Sequence, residues 1–266
     1  MKALSFLAAL LLSFPNFGAV QQASAPASSS SPQAATLLTQ SAAALTGNVV
    51  LSDVTLSGTA RRIAGSDDET GTVTVKALAT GAMRLDFSFP SGPRSEVRGN
   101  SNGAPAGDWS GPDSVSHSIA LHNLSTDWGW FPAFTLSNLS SSANTVLTYV
   151  GQETRDGHSV QHLNVKQQFP NLTGTGASLM QHLSQMDIYL DSTTSLPVSL
   201  AYNTHPDNDA GLDLPVEISF SDYRPVNGVQ IPFHVQKYLN NTLYLDLQFQ
   251  TTAVNSGLTA STFSVQ

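Results

Sequence analysis

The chain predicts a mainly β (α+β) fold: a single curled antiparallel sheet forming an incomplete barrel, with about three short helices as its cap or plug. Three observations carry that prediction. Apolar residues recur at every second position through much of the 266 residues. Asp-Gly and Asn-Gly pairs stand between the alternating runs. Helical patterning is confined to three short stretches, too little to hide the apolar face that so many strands present.

The start of the chain reads as an export signal over 1–27. Met1-Lys2 supplies a positive start, Ala3 to Leu12 is apolar apart from Ser5, and small residues follow. That is the layout of a secretory signal peptide, and the apolar run is shorter than the about 20 residues a membrane-spanning helix needs. Ala23-Ser24-Ala25 and Ala25-Pro26-Ala27 both fit a cleavage point. Residues 28–32 read as a flexible leader, and 33–266 as one β domain. Gln33 to Leu45, with Leu37, Leu38, Ala42 and Leu45 at near-helical spacing, predicts a short helix.

Period two then takes over. Successive strand side chains point to opposite faces, so alternation means a sheet with one buried side. Val73, Val75 and Ala77 share a face, as do Met83, Leu85, Phe87 and Phe89. Leu196 to Tyr202, Val216 to Phe220, Val229 to Val235 and Leu243, Leu245, Leu247 and Phe249 repeat the pattern. Clean alternation favours antiparallel pairing, since parallel strands are covered on both faces. Asp156-Gly157, Asn227-Gly228 and Asn240-Asn241 predict hairpins. The 61–70 and 100–115 stretches read as polar, Gly-rich loops. Further helical segments fall around 124–140 and 176–186. Roughly ten strands against three short helices must curl or close, and curling leaves an apolar hollow.

Composition narrows function. The formal charge is −8 and only 11% of residues are charged, so the clustered Lys and Arg of nucleic-acid binding are missing. No later segment is long and apolar enough to span a membrane. The chain has no cysteine, which excludes disulfides and lipid attachment through an N-terminal Cys. The expectation is a soluble periplasmic or secreted protein.

Catalytic and metal chemistry leave little trace. His158 and His162 lie about 13 Å apart along one predicted strand, too far to share an ion. His117 and His122 fall on opposite faces of an extended stretch, so the histidines read as surface or loop residues and no metal or cofactor is expected. Gly-x-Ser-x-Gly is absent, Ser221-Asp222-Tyr223 reads as a solvent face, and Asp207 and Asp209 read as turn residues. The expectation is a non-enzyme.

The segment Trp128-Gly129-Trp130-Phe131-Pro132-Ala133-Phe134 packs four aromatics into seven residues. Leaving them in water is costly at about 25 cal/mol per Å². Two roles fit: a plug that fills the hollow, or the rim of an apolar ligand pocket.

The stretch Phe220-Ser221-Asp222-Tyr223-Arg224-Pro225-Val226-Asn227-Gly228-Val229-Gln230-Ile231-Pro232-Phe233 resembles the closing strands of outer-membrane lipoprotein carriers, the LolA/LolB-like superfamily. Asn255 to Phe263 is similar to the ending of these relatives, and the element order agrees over 33–266. The resemblance implies a half-barrel whose concave face holds a lipid or an acylated lipoprotein. On that reading the apolar lining comprises Met83, Leu85, Phe87, Phe89, Trp128, Trp130, Phe131, Phe134, Leu179, Leu243, Leu245 and Leu247. The alternative is a structural β protein with a filled core that meets another envelope component.

Overall fold

Alternating sequences form sheet where one face can be buried, and this chain does so over most of its length. The computed structural model describes residues 30–47, 49–124 and 129–265; the export segment expected at 1–27 lies outside the described residues. The strands are β1 (Asp53–Ala64), β2 (Asp67–Leu78), β3 (Met83–Phe89), β4 (Gly92–Ser101), β5 (Ala104–Ser110), β6 (Ser116–Ser118), β7 (Thr145–Arg155), β8 (His158–Gln167), β9 (Met186–Asp191), β10 (Pro197–Thr204), β11 (Leu214–Val226), β12 (Val229–Leu239) and β13 (Thr242–Val254). The helices are α1 (Pro32–Thr46), α2 (Pro132–Ser141) and α3 (Gly174–Leu183).

All thirteen strands lie in one antiparallel sheet, in the order β6-β5-β4-β3-β2-β1-β13-β12-β11-β10-β9-β8-β7. Pairing of β1 with β13 joins the two halves of the chain. It leaves β6 and β7, neighbours in sequence, at opposite free edges. The connection between them must cross the opening of the sheet, and it carries α2 across.

Register puts the apolar residues in rows. Leu56 faces Val75 and Val75 faces Leu85; Val54 faces Ala77 and Ala77 faces Met83. The Asn227-Gly228 turn has φ of 50° and 87°, the left-handed pair a two-residue hairpin needs. The β1–β13 register slips between Ser57 and Gly58, and a Cβ on Gly58 would stand 2.1 Å from the Gln248 carbonyl oxygen. Only glycine allows the strands to approach there.

The stretches expected as loops at 61–70 and 100–115 are largely strand. Arg62 and Glu69 face each other across the β1–β2 hairpin and form an ion pair at 3.3 Å, so charges read as loop residues serve as a cross-strand pair. The sheet also holds more strands than the ten or so anticipated, because short β5 and β6 escape a periodicity reading.

The first helix starts at Pro32 rather than Gln33, with Ser31 as its cap accepting from the Ala34 N–H. Ala34, Leu38, Ser41 and Leu45 form its buried stripe. Part of the expected leader is also in place. The Ser31 N–H donates to the Leu147 carbonyl at 2.8 Å and Ser30 Oγ donates to the Thr145 carbonyl, covering the exposed edge of β7. No helix among the described residues is long and apolar enough to cross a membrane.

Candidate functional site

The interior of the curled sheet is packed. Trp130, Phe131 and Phe134 are 3%, 3% and 6% exposed and belong to the same core as Val75, Leu85, Leu200 and Leu247. Phe131 and Phe134 meet edge to face at 5.0 Å between centroids, a favoured aromatic arrangement. Beside them a small, partly open pocket bordered by Val75, Ala77 and Met83 has a volume of about 20 Å³, roughly one water. Pro132 at the first turn of α2 sets this entry angle without losing a helical hydrogen bond.

Most of the expected lining residues therefore fill the core. Met83, Leu85, Phe89, Leu245 and Leu247 are buried in it. Phe87 is half-buried, stacks on Phe89 at 5.5 Å and packs against the core from its margin; Leu243 is half-buried at the start of β13. Leu179 departs from the expectation, being 41% exposed. The anchor of α3 is its C-terminal Leu183, 2% exposed, while its N-terminal end at Gly174–Gly176 stands in solvent, so Leu179 is lifted off the sheet. Trp128 lies outside the described residues.

A different concavity remains open. A cleft of about 360 Å³ lies between the two walls of the incomplete barrel, with α2 as its floor. Pro105 and Leu124 come from the β5 side, Leu139 and Asn138 from α2, and Val165, Phe169 and Met186 from the β8–β9 side. Its polar neighbours are mostly committed. Ser184 Oγ donates to the Gln181 carbonyl and accepts from the Gln167 N–H, and Gln167 Nε2 donates to Thr145 Oγ1. The cleft thus presents Leu, Val, Met and Phe carbon, with Asn138 and Ser142 at hand for a polar end.

Two constellations escaped the sequence reading. His182 Nε2 and His205 Nε2 stand 2.9 and 3.0 Å from the same oxygen, Asp213 Oδ1. His205 lies in the loop after β10, as a loop histidine should, but it is buried at 3% exposed rather than on the surface. Burial pushes the Asp213 carboxyl up, but hydrogen bonds and charge from His182 and His205 outweigh it and hold the group below its usual value. No sequence spacing marks this trio, because α3, the end of β10 and the 205–213 loop meet only in the fold.

The second is Ser221–His234–Asp246 on neighbouring strands β11, β12 and β13. Ser221 Oγ lies 3.1 Å from His234 Nδ1, and His234 Nε2 lies 2.8 Å from Asp246 Oδ1. The order of groups is that of a hydrolytic triad, but its setting opposes the chemistry. Ser221 is exposed on the outer face of the sheet. The adjacent Asp222 carboxylate would repel a developing oxyanion, and Arg224 is bound to Asp222 at 3.0 and 2.6 Å.

No family model matches the chain, and no curated protein matches it in sequence. Solved structures do share its fold. A protein domain from Vibrio parahaemolyticus named for outer membrane lipoprotein sorting aligns at TM-score 0.55 and 14% identity, covering 87% of this chain and 96% of that one. A DUF1329 family protein from Desulfovibrio piger aligns at 0.58 and 11%, over 87% and 96%. A LolA superfamily protein from Nitrosomonas europaea aligns at 0.54 and 10%, over 87% and 97%. This chain shares the fold of these three structures, a single antiparallel sheet left open and crossed by helices.

Proposed function

We propose that the protein is an extracytoplasmic carrier or binding protein for a lipid or an acylated protein, held by its acyl chain in the cleft between α2 and the β8–β9 wall. The observation that carries the reading is the apolar cleft itself, about 360 Å³ and lined by Leu124, Leu139, Val165, Phe169 and Met186. The lipoprotein-sorting name of one structural neighbour agrees with it.

The magnitudes fit a short or partly inserted chain. A methylene is about as large as a water's share of the liquid, roughly 30 Å³, so the cleft houses on the order of ten methylenes. At about 0.8 kcal/mol each they contribute about 8 kcal/mol before immobilisation costs, which corresponds to micromolar affinity or weaker.

Organic extraction of the purified protein with lipid mass spectrometry, and titration with a fluorescent fatty acid, test the reading. Co-purifying lipid or saturable micromolar uptake is expected. Leu139→Asp should weaken uptake at least about tenfold by setting a charge against the chain. A protein that is ligand-free and takes up no fatty acid removes the reading and favours the structural alternative.

A second reading, hydrolysis by Ser221, is favoured only by the Ser221–His234–Asp246 contacts. Ester turnover that is abolished in Ser221→Ala would establish it; turnover unchanged by that substitution removes it.

A further inference from the structure

We infer that His182, His205 and Asp213 form a binding site for one divalent transition-metal ion of the zinc class. The inference does not rest on the lipid reading. Three ligand atoms, one from each residue, lie within 4.8 Å of one another. Two imidazoles and a carboxylate are the donor set that such ions prefer, and they leave a fourth position for water. Hard cations such as Mg²⁺ and Ca²⁺ favour oxygen ligands and are expected to pass the site by.

The site is built rather than accidental. The backbone of His205 is clamped by Asn123, whose Nδ2 donates to the His205 carbonyl at 2.7 Å and whose Oδ1 accepts from the His205 N–H at 2.9 Å. His122 holds the next residue, with its Nε2 donating to the Pro206 carbonyl at 3.1 Å. The His205 ring is enclosed, edge-on to His122 and His182 with centroids 6.0 Å away on each side. His182 and Asp213 are each 40% exposed, which gives an ion its path from solvent.

Geometry sets the affinity. Bonds of about 2.0–2.1 Å in a tetrahedral site separate ligand atoms by about 3.3 Å. Asp213 stands at 2.9 and 3.0 Å from the two rings, so its carboxylate must retreat by a few tenths of an ångström. It sits beside β11 at the end of an exposed loop, where that movement is easy. Without an ion, both rings donate Nε2–H to Asp213. Ligation through Nε2 transfers the His205 proton to Nδ1, which is buried with no hydrogen-bond partner. The missing outer partner costs about 10–100-fold in affinity and places the site in the micromolar range.

Tag-free, chelator-treated protein is titrated with Zn²⁺ by calorimetry and native mass spectrometry, and with Co²⁺ by visible absorption. One ion per chain, micromolar affinity and four-coordinate Co²⁺ bands are expected. His182→Ala and Asp213→Asn should each weaken binding at least tenfold while far-ultraviolet circular dichroism stays that of the parent. Both residues are half-exposed, so the fold should tolerate the changes. His158→Ala, on an exposed hairpin, should bind as the parent does. Absence of binding, or binding equally tight in both site variants, overturns the assignment.

Discussion

Asp53 opens β1 with a side chain closed off from solvent, and four donors meet it: the Ser256 N–H and Oγ at 2.7 Å each, the Ser52 Oγ at 2.9 Å and the Gly257 N–H at 3.1 Å. It ties the C-terminal segment to the first strand. Burial raises its pKa, but the bonds from Ser256, Ser52 and Gly257 outweigh this and hold it below the usual carboxylate value. A depressed folded pKa contributes stability that is fully present above the unfolded value of about 3.9 and is lost as pH falls through the folded value. Asp53→Asn should therefore cost about 2–3 kcal/mol at pH 7, and less as pH drops below 4. Urea unfolding at the two pH values checks this. Nothing in the sequence distinguishes Asp53 from the surface aspartates, because three of its four donor groups, on Ser256 and Gly257, lie more than 200 residues away.

At the scale of elements, α2 carries the decisive packing. Strand positions such as Val73, Val75, Met83 and Leu85 were legible because alternation is a local property of the chain. The aromatic run at 128–134 was legible as an insertion, but whether it fills the hollow depends on volumes that no pattern encodes. For the same reason the lining read from alternation turned out to be mostly core. The open cleft takes one or two residues from each of several separate segments, Pro105, Leu124, Leu139, Val165, Phe169 and Met186 among them, with no period to reveal them. Phe134→Ala should cost about 3–5 kcal/mol, measured by urea unfolding, by leaving a cavity where its ring packs in the core. Fatty-acid affinity should change less than twofold, since Phe134 borders the small pocket beside Val75 and Met83 and does not line the cleft.

For the whole molecule, the consequence of strand order is that β6 and β7 end the sheet without a strand partner beyond them, the β7 edge being met by Ser30 and Ser31, while its middle is stitched by β1 and β13. Edge strands exchange their amide hydrogens most readily, and β6, three exposed residues long, has little to hold it. The proposed ligand would touch Pro105 and Leu124 on one wall and Val165 and Met186 on the other, so it bridges the walls that the open sheet leaves apart. A ligand at 100 times its Kd adds about 2.7 kcal/mol to stability. Beyond the common slowing of core amides that exchange through global unfolding, local exchange should slow in β5, β8 and β9, while local openings in β1, β12 and β13 stay as before. Hydrogen–deuterium exchange with and without a saturating fatty acid checks this, with Leu139→Asp as the control that should show no change. No slowing of local exchange in the two walls beyond that of the centre would mean that the ligand sits elsewhere, because an occupant of the gap stabilises the walls directly.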